Sequence, residues 1–160
     1  MLSAIRTATE ADADDLVRVI NLAYRVEDFF VIGDRIDRSG VLDRMRRPGG
    51  RFLVIDDEAG APVATVFVEP HGSRGYFGLL AVAPSHQGQG LARRLVEEVE
   101  AHFRREGFSE VILDVVTLRT ELFPFYRRLG YREEGLIPLD GRVALRMPAE
   151  LRIMVKPLGG

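Results

Sequence analysis

Apolar residues recur along this chain at two different spacings, and the spacings separate strands from helices. Residues 52–56 and 63–69 are runs rich in β-branched and aromatic side chains, and Asp57-Glu58-Ala59-Gly60 between them predicts a hairpin turn. A third apolar run, Leu79-Leu80-Ala81-Val82, is short enough for a buried strand and is stopped by Pro84. Leu91, Leu95, Val99 and Phe103 then recur every four residues, which places them on one face of a long helix. Gly107 fits the C-cap of that helix. Residues 110–117 alternate Val111, Leu113 and Val115 against Ile112, Asp114 and Val116 and read as the next strand. A helix joins this strand to the run at 79–82, so the two are expected to be parallel, through a right-handed crossover.

The flanks are patterned too. Residues 3–6 read as a short first strand, and Thr9-Glu10-Ala11-Asp12 has capping-box spacing with Asp in place of the usual Glu. Ala13, Leu16, Ile20, Ala23 and Tyr24 form the apolar stripe of the helix that follows. Periodicity weakens over residues 27–50, where 41–47 is expected to form a short second helix. Leu122, Phe125, Tyr126 and Leu129 share a helical face. Pro124 is tolerated only near a helix N-terminus, so this helix should start close to Thr120. Gly130 suits a left-handed C-cap, after which Tyr131 can pack back. Residues 132–136 and 151–156 read as the last two strands, with Ile153, Met154 and Val155 completing the sheet and 159–160 a frayed tail. The sum is one α/β (α+β) domain over residues 1–160.

Composition narrows the function. There is no cysteine, which removes disulfides, thiolate metal sites and a cysteine nucleophile, and no metal site is expected. A formal net charge of -2 gives no reason to expect a nucleic-acid partner. No apolar run is long enough for a bilayer and the N-terminus lacks a signal pattern, so no membrane partner and a cytoplasmic location are expected.

The chemistry concentrates where the strand at 79–82 meets the long helix. Gln87-Gly88-Gln89-Gly90-Leu91-Ala92 turns the chain from strand to helix. A helix start leaves backbone N–H groups unpaired under a positive dipole end, and glycines let a phosphate approach the backbone closely. Arg93 stands where a dinucleotide fingerprint needs a third glycine or alanine, and the Gly-Lys-Ser/Thr of a triphosphate loop is missing. What remains, Gln-x-x-Gly-x-Ala preceded by Leu-Ala-Val-x-Pro, resembles the acetyl-coenzyme A pyrophosphate loop of the GCN5-related N-acetyltransferase (GNAT) family. Phe125-Tyr126-Arg127-Arg128-Leu129-Gly130-Tyr131 resembles that family's second cofactor motif. The likeness is tight over residues 76–131 and looser before them.

The resemblance implies a mixed, mostly antiparallel sheet of about six to seven strands, splayed between two central parallel strands and flanked by about four helices. It implies acetyl-CoA as acyl donor and a primary amine of a small molecule or peptide as acceptor, attacked directly within a ternary complex. Gln87, Gly88, Gln89, Gly90, Leu91 and Ala92 would hold the pyrophosphate, and Leu80, Ala81 and Val82 would pair with the pantetheine arm. The Val82 N–H could polarise the thioester carbonyl, and Arg93, Arg94 and Arg127 could meet the nucleotide phosphates. Tyr126 would face the thioester sulfur, where a phenol can give a departing thiolate a proton or a hydrogen bond.

Phe29 and Phe30 fall in the stretch that lies over the acceptor pocket in that family. Arg119 stands where many members have an asparagine contacting pantetheine, and it could instead bind an anion on acceptor or cofactor. Glu69, His71 and Asp114 are each able to serve as general base, and spacing does not choose among them. A homodimer is consistent with the family. A CoA-binding module without turnover and a purely structural α/β domain are the other two classes open to this sequence.

Overall fold

The computed structural model describes residues 4–139 and 143–159, which excludes Ser3 and the final glycine among the segments considered above. Seven strands form one sheet in the order β1-β2-β3-β4-β5-β7-β6. They are β1 (Arg6–Thr7), β2 (Arg51–Asp56), β3 (Pro62–His71), β4 (Arg74–Val82), β5 (Glu110–Val116), β6 (Arg132–Pro138) and β7 (Glu150–Pro157). The helices are α1 (Ala13–Ala23), α2 (Arg38–Met45), α3 (Leu91–Arg105) and α4 (Leu122–Arg128). Every neighbouring strand pair is antiparallel except β4 and β5, which are parallel as the crossover through α3 requires. The mixed, mostly antiparallel sheet and its helices are those the sequence implied. β7, with Ile153, Met154 and Val155, completes the sheet by inserting between β5 and β6, leaving β6 outermost.

Two apolar clusters sandwich the sheet. Leu16, Val19 and Ile20 of α1 and Val41 of α2 pack with Phe52, Val54 and Phe67 on one face. Leu91, Leu95, Val99 and Phe103 of α3, joined by Tyr126 and Tyr131, pack with Val66, Phe77 and Val111 on the other. The four-residue stripe of α3 is fully withdrawn from water, which is what holds the helix on the sheet.

Local chemistry sets where the elements start and stop. The Thr9 box forms, with the Thr9 N–H donating to Asp12 at 2.8 Å, but it opens a short 3-10 turn that runs into α1. α2 begins earlier than the apolar pattern implied because Asp37 caps it, accepting from the Gly40 N–H at 2.7 Å. α3 and α4 end alike. The Phe108 N–H bonds Phe103 O and the Gly107 N–H bonds Arg104 O; after α4, Tyr131 N–H bonds Tyr126 O and Gly130 N–H bonds Arg127 O. Both are Schellman closures, each with an aromatic pair packed edge to face across it, Phe103 with Phe108 and Tyr126 with Tyr131. Tyr131 is anchored further by donating to the buried Glu100 carboxylate at 2.9 Å, which also receives Lys156 at 2.9 Å.

Candidate active site

The parallel pair at the centre of the sheet is short. Gly75 pairs with Val111 and Tyr76 with Ile112, and beyond those two rungs β4 and β5 have no common register. Outside the gap each strand keeps its other neighbour: β4 stays on β3 as far as Val82, and β5 stays on β7 as far as Val116. The strands therefore splay, and the β4 edge from Phe77 onward has no strand partner. An unpaired edge is a template for an extended ligand. Within that edge β4 carries a bulge. Phe67 faces Gly78 while Thr65 faces Ala81, so β4 has one extra residue there, and Leu79 takes φ 53°. A bulge bends and re-aims a strand, and this one does so where the strands part.

A cleft of about 450 Å³ fills the wedge. Leu79 and Leu80 of β4, Asp114 and Val115 of β5 and Tyr126 of α4 line it. Tyr126 is 5% exposed and is packed against Phe77, Phe125 and Tyr131. The α4 closure fixes its backbone from behind, because its own carbonyl accepts the Tyr131 N–H at 3.0 Å. Its hydroxyl donates to no other described residue. Burial pushes the Tyr126 phenol well above its ordinary value, so the group stays protonated at neutral pH. Tyr24, also on the cleft, is pushed up to about 12 by burial.

Beyond the end of β4 the chain makes a 3-10 turn, Pro84–His86, and then the glycine-rich turn. Gly88 has φ 81° and Gly90, the N-cap residue of α3, has φ 76°, a left-handed conformation that side chains with a Cβ resist. No side chain caps this helix and its first turn holds no acidic residue. A Cβ built at Gly88 or Gly90 would meet nothing within 4 Å, so both glycines face open space. Residues 87–90 are exposed, with the Gln87 amide held to Val82 O at 3.2 Å. Uncapped N–H groups, a positive dipole end and free space together fit a diphosphate. Leu91 is instead buried, and the Ala81 side chain lies on the α1 side of the sheet, so each leaves only its backbone to a ligand here.

The charged residues near this turn have partners in the protein. Arg93 reaches Glu97 at 3.0 Å along the helix, and Arg127 pairs with Glu133. Arg119 lies apart from the cleft lining: its guanidinium takes Glu27 at 2.9 Å and Glu121 at 2.9 Å, with 13% of the side chain exposed. Its side chain is largely withdrawn from solvent, and its Nε and Nη1 groups donate to those two carboxylates. Phe29 is exposed and Phe30 is fully buried among Val31, Val116, Leu139 and Leu151; neither lines the cleft.

Glu69, His71 and Asp114 do converge on the cleft. Glu69 lies 3.1 Å from His71 and 3.4 Å from Arg47, His71 stacks on Tyr76 at 4.2 Å, and the Tyr76 hydroxyl donates to Asp114 at 3.3 Å. Sequence reasoning passed over Tyr24, Glu27, Arg44, Arg47 and Tyr76 as cleft residues. Glu27, Arg44 and Arg47 belong to residues 27–50, where no period marks which side faces inward. One signal was present: Asn21 is a polar residue on the otherwise apolar face of α1. It is buried and pins the loop before α2, accepting from Arg35 N at 2.8 Å and Ile36 N at 3.1 Å while donating to Ile36 O at 2.9 Å.

Among the described residues no group of His, Asp and Glu is arranged to hold a metal ion, and no helix is long and apolar enough to cross a membrane. Similarity to known proteins agrees with this geometry. Human N-acetyltransferase 8B is 38% identical over 56 residues, covering 35% of this chain and 25% of that protein, so the chain spans about a quarter of that relative's length. The ribosomal-protein-S18-alanine N-acetyltransferase of Escherichia coli superimposes with a TM-score of 0.81 at 16% identity, over 100% of this chain and 96% of that one. A phosphinothricin acetyltransferase of Sinorhizobium meliloti, solved in complex with acetyl-CoA, superimposes with a TM-score of 0.76 at 18% identity, over 99% and 90% of the two chains. At those identities the two structures attest the fold. The sequence model of the Acetyltransferase (GNAT) family matches residues 16–131, which takes in the glycine turn, the splayed strands and Tyr126, and the chain belongs to that family.

Proposed function

We propose that this chain is an acetyl-CoA-dependent N-acetyltransferase that acts on a primary amine. The observation that carries the proposal is the wedge between β4 and β5, which holds a protonated, buried phenol and has an uncapped helix start beyond the end of β4. When bound, acetyl-CoA supplies a thioester whose acyl carbon takes a new C–N bond as the C–S bond breaks, with CoA leaving as the thiol and one proton released for each ammonium consumed. Backbone N–H groups of residues 88–92 hold the diphosphate, and the free edge of β4 through Leu80 and Val82 pairs with the pantetheine arm.

Tyr126 holds its proton at the sulfur. A thiol has an ordinary pKa of about 8.5, below that of a buried phenol, so complete transfer from Tyr126 is uphill. The phenol therefore stabilises the departing sulfur by donating a hydrogen bond. An amine with a lysine-like pKa of about 10.4 must give up a proton before it attacks. Glu69, with His71 beside it, Asp114, with Tyr76 beside it, and Glu27 are the carboxylates that the cleft offers to take it.

Acetyl-CoA added at increasing concentration should raise the melting temperature, because a ligand that binds only the folded state stabilises it by mass action. Thiol release with an amine panel should then detect turnover. A melting temperature that does not move at millimolar acetyl-CoA refutes the reading.

A further inference from the structure

On the α1–α2 side of the sheet the cleft holds two arginines without a direct carboxylate partner among the described residues. Arg35 and Arg44 both line it. The Arg44 guanidinium donates to the Gly40 carbonyl of its own helix at 3.1 Å, and among the described residues neither arginine forms an ion pair. Arg35 lies 5.3 Å from the Tyr24 ring centre, and its Nε is buried with no hydrogen-bond partner. Burial, with Arg47 and Arg35 nearby, pulls Arg44 below the usual guanidinium range. Arg47, by contrast, is tied to Asp43 and Glu69.

The same cleft also presents an unpaired acceptor. Glu27 is 3% exposed and lines it; one carboxylate oxygen takes Arg119, and the other, Oε1, is buried with no partner. Leaving a buried donor and a buried acceptor unmet is costly, and each such group asks for a ligand atom. Both are held rigidly, Arg35 by the Asn21 amide behind its backbone and Glu27 by Arg119. Tyr24 is within electrostatic reach of Arg35, Glu27, Arg119 and Asp114, and of Tyr126 in turn.

We propose that the acetyl acceptor is an aminocarboxylic acid, a small molecule whose carboxylate is gripped by Arg35 and Arg44 while its amine approaches the free Oε1 of Glu27. This rests on the acetyltransferase function above and adds the class of acceptor. One ligand carrying both charges satisfies both unmet groups. A polyamine would meet Glu27 but would leave Arg35 and Arg44 without an anionic partner. A peptide N-terminus has its α-carboxyl tied up in an amide and so lacks the carboxylate beside its amine.

The test follows thiol release from acetyl-CoA with free aminocarboxylic acids, each beside its carboxamide and its aminophosphonate analogue. Calorimetry of the same compounds against the CoA-loaded protein gives a readout free of turnover. A preferred acid should exceed its carboxamide by about 10- to 100-fold in kcat/KM and in affinity, the range expected for charge-assisted hydrogen bonds. Arg44→Gln should collapse that ratio toward one while stabilisation by acetyl-CoA persists. If that variant does not fold, Arg44→Lys, which keeps the charge and loses the fork, should still lower the ratio. Carboxamides or peptides used as well as the acids, a ratio unmoved in the folded variants, or no acid turned over by a protein that binds acetyl-CoA would each overturn the proposal and leave the acetyltransferase function standing. Preference for the phosphonate would overturn the carboxylate assignment. Failure to bind acetyl-CoA at all would remove both.

Discussion

Replacing Arg119 by methionine separates a stabilising role from a ligand-binding one. Arg119 and Glu27 are 92 residues apart in sequence and 2.9 Å apart in space, with 13% and 4% of their side chains exposed. At an effective dielectric of about 20 their gross attraction is roughly 6 kcal/mol, largely offset by the water that both groups give up. Removing one partner leaves the other's desolvation unrecovered, and for a buried pair that costs about 3–5 kcal/mol. The second pairing adds little, because Glu121 is 57% exposed and solvent screens it. For a domain of this size about 2–4 °C is lost per kcal/mol, so Arg119→Met should melt roughly 6–20 °C below the parent. Urea denaturation should show the same loss with an unchanged m-value. Adding Glu27→Gln to the variant should recover about 2 kcal/mol or more, since no bare charge is then buried. An Arg119→Met protein that loses under 1 kcal/mol, yet falls more than tenfold in kcat/KM, would refute the clamp and return Arg119 to the ligand.

Three further outcomes are expected. Tyr126→Phe should lower kcat by about 100-fold or more with acetyl-CoA affinity unchanged; equal losses in both, from equilibrium titration and steady-state rates, would remove the hydrogen bond to sulfur. Gly90→Ala forces a Cβ into a left-handed N-cap at φ 76° and should cost about 1–2 kcal/mol together with most of the stabilisation by acetyl-CoA, read by thermal titration. Alkaline pH should destabilise the protein: Tyr24, Tyr126 and Tyr131 are all raised by burial, Tyr24 to about 12. The unfolded chain therefore ionises first, near pH 10. Stability present below about pH 10 should decline as pH rises through the folded values, and phenolate absorbance of the native protein should lag that of the unfolded protein.

What was legible in the sequence was local. The α3 stripe, the two Schellman closures and the glycine turn each depend on residues within a turn or two of one another, so composition and spacing were enough to place them. The alternation that marks β5 is equally local, and a helix between two strands allowed only a parallel crossover. Boundaries moved where a side-chain cap outweighed apolar spacing, as Asp37 does for α2. The tertiary structure alone decided that β7 enters between β5 and β6, because strand order is a choice among edges that carry similar apolar patterns. It alone paired Arg119 with Glu27 and gathered Arg35, Arg44 and Glu27 around one cavity. Those residues come from a stretch with no period, and an isolated charge in a sequence carries no sign of which other charge it will meet. The candidate diphosphate site was therefore written in the backbone of one turn, while the cleft proposed for the acceptor is assembled only when residues from distant parts of the chain meet at the splayed strands.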